Sequence, residues 1–295
     1  MESNAQLALR LFTITERPRF EWPGGKKVAF YAGVAVEHYP VDKPSTSIFA
    51  GTAGLTPDPL NYGWRDYGMR VGIWRMIESL DRHGMRATAF VNSDACSLYP
   101  QVIAAGNERN WSWVAHGRDN STFQNGMEKS VERKYLEEVV DEIERHTGTR
   151  PTGWIGPALT ETFETPQILA ELGLEYVLDW CADDQPFYLN GEKPMLSVPY
   201  STVLNDVMLF GGNGLSGEGF VQLIKDQYEQ LSKEADDHVR VMGIGLHPFI
   251  INQPFRQKYL DLALDFIAEQ DDVWITTSDD IAAHFKNNVA DRPAA

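Results

Sequence analysis

The 295-residue chain has little cysteine: only Cys96 and Cys181, with no CxxC pair. That excludes a zinc ribbon, a dithiol redox motif and a disulfide framework. Positive charge is also scarce, with 26 Lys and Arg against 42 Asp and Glu, a formal charge of −16. Such a surface repels phosphate backbones and anionic lipid, so neither nucleic acid nor a membrane surface is an expected partner. No stretch of 18 apolar residues occurs, as a membrane-spanning helix would need. The polar opening MESNAQLALRLFTITERP does not read as a secretion signal, and the expected location is the cytoplasm. The glycines of FGGNGLSGEG (210–219) do not keep the dinucleotide-binding spacing.

What is present is 43% hydrophobic, enough for one large core. Short segments rich in β-branched and aromatic residues predict strands at 27–36, 86–91, 111–115, 152–156, 175–180, 195–200, 239–246 and 272–277. Helical patterns fall between most of them, at 70–84, 132–148, 165–173, 219–233 and 255–270, with a last helix after the Thr-Thr-Ser cap at 276–278. In 70–84 the expected buried stripe is Val71, Trp74, Ile77 and Leu80. Alternation of this kind predicts a parallel α/β protein, a distorted (β/α) barrel of seven or eight strands. Residues 1–22 read as an N-terminal arm and 23–295 as a single catalytic barrel. Residues 38–66, with four prolines and no periodicity, read as a long rim connection.

Barrels of this class carry their chemistry at the carboxyl ends of the strands. Three of the seven histidines, His38, His116 and His247, stand at strand exits; the other four (His83, His146, His238, His284) fall at or near expected helix ends. Glu37 shares the first exit, and Arg118, Asp119 and Asn120 follow His116. Thr160 and Glu161 follow 152–156, while Asp179, Asp183, Asp184 and Gln185 lie in or after 175–180. A single strand-end histidine is as often a packing residue. Three on one rim favour a site.

The segments NYGWRDYGMRVGIWRMIESLDRHGMRATAF (61–90), GWIGPALTETFETPQILAELGLEYVLDW (153–180), DDQP (183–186) and LHPFIINQPFRQKYL (246–260) resemble the polysaccharide-deacetylase superfamily, in its branch of allantoinases and cyclic-imide hydrolases. The resemblance implies amide or imide hydrolysis on a distorted barrel, and a homodimer or homotetramer. It also implies a Thr-Phe-Asp-Asp motif supplying a base and a metal ligand, and a His-x-x-x-His motif supplying two more ligands. Here the matching positions read Val36-Glu37-His38, and His116 with Asn120. A neutral amide oxygen is a weak donor to zinc beside histidine, so the inherited ligand set is altered.

A cyclic imide or ureide is a better electrophile than an acetamide, because one nitrogen lone pair is shared between two carbonyls. The expected function is therefore hydrolysis of a carbon–nitrogen bond in a small cyclic imide or ureide. The alternative is a metal-dependent carbohydrate N-deacetylase. In the first reading no metal is needed; in the second a divalent metal such as zinc sits on His38, His116 and Asn120. Glu37 is the expected base, its carboxyl raised toward neutrality by burial, with His116 and His247 as the other catalytic groups. Asn120, Arg65, Arg70, Trp180, Asp183 and Gln185 are the expected substrate contacts. Glu161 reads better as a cap for the helix near Thr165.

Overall fold

The structure, a computed structural model, describes residues 13–189 and 191–289. Among the described residues nine strands form one sheet: β1 Val28–Val36, β2 Ala87–Val91, β3 Ser112–Ala115, β4 Gly153–Trp154, β5 Tyr176–Val177, β6 Phe187–Leu189, β7 Met195–Ser197, β8 Arg240–Leu246 and β9 Val273–Ile275. Their order is β6-β7-β5-β4-β3-β2-β1-β8, with β9 also on β1. All pairings are parallel except β6 with β7. This is the expected distorted (β/α) barrel, with a sheet that does not close. At the seam between β7 and β8, irregular segments take the place of a strand: Asn205 forms a parallel bridge with Gly245, and Val241 N–H donates to the Asp184 carbonyl at 2.8 Å.

The helices are α1 Pro59–Tyr67, α2 Ile73–Arg82, α3 Ser93–Leu98, α4 Pro100–Glu108, α5 Lys129–Thr147, α6 Thr165–Glu171, α7 Gly217–Glu234, α8 Gln257–Ala268 and α9 Ser278–Asn288. The second part of the expected 38–66 connection is thus helix: Pro59 sits in the first turn, and Asp58 caps it by accepting from Asn61 N–H. A π-helical turn, Gly68–Gly72, joins α1 to α2. Its wider winding rotates the apolar stripe expected over 70–84. Ile73, Met76, Ile77 and Leu80 are buried, while Val71 and Trp74 are exposed.

Two apolar layers follow from the period of two in a strand. Residues 28, 30, 32, 34 and 36 of β1 face the helices, while Ala29 and Tyr31 face the barrel interior. The interior is filled by rings lying over glycines on neighbouring strands: Phe90 over Gly33, Tyr31 over Gly243, Tyr176 over Gly153 and Tyr200 over Gly245. A methyl group on Gly33 would stand 2.4 Å from the Phe90 ring, so only glycine fits there. Of the expected arm, residues 1–12 lie outside the described residues; Phe20 and Trp22 pack edge-to-face and join the inner layer beside α9.

Candidate active site

Period-two alternation, carried one or two residues past each strand, decides what enters the barrel mouth. On β1 the inward positions 29, 31 and 33 lead to Glu37; on β3, Val114 leads to His116; on β8, residues 241, 243 and 245 lead to His247. Glu37 Oε1 lies 3.2 Å from His116 Nε2 and 3.6 Å from His247 Nε2. The three expected catalytic residues thus meet around one carboxylate oxygen. His38, one residue out of phase with Glu37, is turned away. Its Nδ1 lies 3.2 Å from the Tyr99 hydroxyl, and its charged neighbours are Asp94, Asp119, Asp66 and Lys43.

Each of the three groups is held from behind. His247 Nδ1 donates to Asp206 Oδ1 at 2.7 Å, and His247 N–H donates to Asp206 Oδ2 at 2.8 Å. The bridge of Asn205 to Gly245 places Asp206 there, in register with His247 across the seam. His116 Nδ1 lies 2.6 Å from the Ile155 carbonyl, which only accepts, so the Nδ1 proton is fixed and Nε2 faces Glu37. Tyr39 donates to Glu37 Oε2, and Asn120 Nδ2 donates to the Tyr39 hydroxyl at 3.0 Å. Asn92 ties the strand exits together: its Oδ1 accepts from His38 N–H at 2.9 Å, and its Nδ2 donates to the His116 carbonyl.

The charges follow from this geometry. Burial pushes the Glu37 carboxyl up, but His247 and His116 outweigh it and hold the group below the ordinary carboxylate range. The expected rise toward neutrality does not occur, because two imidazoles face the carboxylate. Burial pushes His247 down, but Glu37 and Asp206 outweigh it and bring it up to about 10. Asp206 is itself raised by its burial, which the His247 cation only partly offsets. Near neutral pH the mouth holds a Glu37 carboxylate beside a His247 imidazolium.

The other expected contacts divide. Arg65 is buried over the Tyr39 ring, 5.0 Å from its centroid, and donates to the Thr46 carbonyl at 2.5 Å. It supports Tyr39 and the 38–58 segment. Arg70 is exposed and pairs with Asp66 on its own helical segment, so it does not reach the mouth. Asp183 pairs with Arg17 and accepts from Gln185 N–H, and Gln185 donates to the Val239 carbonyl at 2.8 Å. Both belong to the seam. A cavity of about 560 Å³ opens there, lined by Arg17, Asp183 and Tyr200 among others and by none of Glu37, His116 and His247. Trp180 donates to Glu161 Oε2 at 3.1 Å, so Glu161 faces Trp180 and does not cap α6. Sequence reasoning missed Asp206, Asn92 and Tyr39. Asn92 directly follows the strand expected at 86–91, but its residue type alone suggests no role there. Asp206 follows no strand of its own, and Tyr39 lies beyond the inspected exit.

The inherited metal set does not fit this arrangement. Of the three expected ligands, His38 faces Tyr99, and Asn120 turns its amide nitrogen, a donor of protons, toward Tyr39. Among the described residues no three His, Cys, Asp or Glu side chains are grouped as a metal ion requires.

A polysaccharide deacetylase family model matches residues 62–177. A Schizosaccharomyces pombe protein with a provisional polysaccharide deacetylase name is 24% identical over 292 residues, 88% of this chain and 91% of that one. The crystal structure of a probable polysaccharide deacetylase from Pseudomonas aeruginosa PAO1 superposes with a TM-score of 0.83 at 27% identity, covering 93% of this chain and 95% of that one. The comparisons support the polysaccharide deacetylase superfamily. A Puue allantoinase structure shares the fold, with a TM-score of 0.81 at 24% identity and coverage of 93% and 94%. The family match supports a deacetylase-like hydrolase, while the allantoinase likeness shows a shared fold and leaves the branch open. No helix among the described residues is long and apolar enough to cross a membrane.

Proposed function

We propose that the protein hydrolyses a carbon–nitrogen bond in a small cyclic imide or ureide, using Glu37 and His247 as base and acid. The observation that carries this reading is the ion pair at the mouth. Glu37 Oε1 stands 3.6 Å from His247 Nε2, with Asp206 behind the imidazolium. The base is deprotonated and the acid is protonated before substrate arrives, which is the state that general acid–base hydrolysis needs.

Glu37 takes a proton from water as the water oxygen attacks a ring carbonyl carbon. Negative charge then leaves the carboxylate and appears on the carbonyl oxygen, beside the same imidazoles that held Glu37 ionised. The stabilisation moves with the charge, so Glu37 is a stronger base in the transition state than at rest. The ring C–N bond breaks, the leaving nitrogen takes the proton from His247 Nε2, and the Glu37 proton returns to His247. His116 and Asn120 hold the carbonyl or the water. The activated imide carbonyl suits a site whose strongest electrophilic aid is an imidazolium.

The second reading is a metal-dependent N-deacetylase, favoured by the family match over 62–177. A screen of succinimide, hydantoin, dihydrouracil and allantoin against N-acetylated amino sugars separates the two. Ring opening without acetate release is the expected result. Acetate release alone would overturn the proposal.

A further inference from the structure

The Ile155–Gly156 peptide is hydrogen-bonded at both ends. Its carbonyl accepts from His116 Nδ1 at 2.6 Å, and its N–H donates to Asp179 Oδ1 at 2.7 Å. The bond is trans, as are all described peptides except Thr56–Pro57. A trans peptide points its C=O and N–H in opposite directions, so His116 and Asp179 stand on either side of one planar, polarisable unit.

Behind Asp179 is a second carboxyl. Asp179 and Glu161 are each other's carboxyl neighbour, and two carboxyl groups can hydrogen-bond only around a proton. Asp179 Oδ2 and Glu161 Oε1, both buried without another donor, are the oxygens left to share it. The remaining oxygens accept from Gly156 N–H and Trp180 Nε1. Burial pushes Glu161 up to about 7, and burial with Glu161 beside it pushes Asp179 well up. Glu132 of α5 adds repulsion, while its own carboxylate accepts from the Thr162 and Thr165 hydroxyls.

We propose that the Asp179–Glu161 carboxyl pair is a positioning element for His116 and acts on it through the Ile155–Gly156 peptide. The pair with one proton carries one negative charge. That charge, at the N–H end, draws the peptide dipole toward a more negative carbonyl oxygen. A more negative Ile155 oxygen grips the His116 Nδ1 proton, fixes the ring plane and keeps Nε2 on Glu37. The inference concerns the geometry of His116 and stands whichever bond the enzyme hydrolyses.

The test is the His116 Nδ1–H signal in proton–nitrogen NMR of the full-length chain, assigned by its loss in His116→Gln. Asp179→Asn keeps an oxygen for Gly156 N–H but moves the charge to Glu161, away from the peptide. The His116 Nδ1–H signal should shift upfield. Glu161→Gln offers an amide N–H to Asp179 Oδ2 and leaves the whole charge on Asp179, so the signal should shift downfield. A structural disturbance has no reason to give opposite signs. Shifts of the same sign, or a Gly156 amide that moves while His116 Nδ1–H stays fixed, would overturn the proposal. If Asp179→Asn does not fold, Glu161→Gln decides alone: a downfield shift is required, and an unmoved or upfield signal refutes it.

Discussion

His247 and His116 face the same oxygen of Glu37 but differ in what stands behind them. Behind His247 is a carboxylate, Asp206, at 2.7 Å; behind His116 is a peptide carbonyl at 2.6 Å. An anion in direct contact stabilises the imidazolium, and with Glu37 it outweighs burial, bringing His247 up to about 10. A neutral carbonyl instead fixes the Nδ1 proton and the ring plane, leaving the Nε2 edge on Glu37. Two histidines at equivalent strand exits are thereby given different work. His247 is held by an anion, and His116 is held in place by a peptide.

The sharpest way to break this comparison is Asp206→Asn. The amide keeps the shape but no longer supports the cation, and turnover of the imide should fall by roughly 10³- to 10⁴-fold. The alkaline limb of kcat/KM should also move to lower pH, which a pH profile of the variant reads. His116→Ala should cost less, roughly 10²-fold in turnover with folding intact, because it removes orientation and leaves the proton donor in place. Loss of turnover below about threefold would return His116 to a packing role. Tyr39→Phe removes the hydroxyl that donates to Glu37 Oε2 and accepts from Asn120. Its expected cost is roughly tenfold in kcat/KM, as for one hydrogen bond to a charged group.

The smallest effect concerns stability against pH. His247 is raised on folding, so its contribution is full below its unfolded value near ~6.5 and is lost as pH climbs. That loss runs up through its folded value of about 10. Glu37 is lowered on folding. Its contribution is present above ~4.3 and is lost as pH falls through the lowered value. Thermal unfolding followed from pH 5 to 10 should show a Tm decline on the alkaline side that His247→Gln flattens.

The same comparison shows what could be read from the chain. The long strands at 27–36, 86–91 and 239–246 agree with β1, β2 and β8 within one residue at each end. Their alternation carries Glu37 and His247 inward by local geometry alone. Residues placed by long-range register were not legible. Asp206 reaches His247 only because Asn205 bridges Gly245, forty residues away across an unclosed seam. Asp179 was visible as a strand-end carboxylate, but its link to His116 passes through a peptide of another strand exit. β4 and β5 are two residues long, too short for the extended runs expected at 152–156 and 175–180. Arg70 was misjudged because the π-helical turn at Gly68–Gly72 changes the facing of everything near it.

The central claim is that Glu37, His116 and His247 form an acid–base site that opens an activated ring without an inherited metal. Protein dialysed against a chelator, shown by elemental analysis to be free of zinc, and assayed in parallel on cyclic imides and N-acetylated amino sugars tests it most directly. Unchanged imide hydrolysis with no acetate release is the predicted result; imide hydrolysis that vanishes with the chelator and returns with zinc would contradict it.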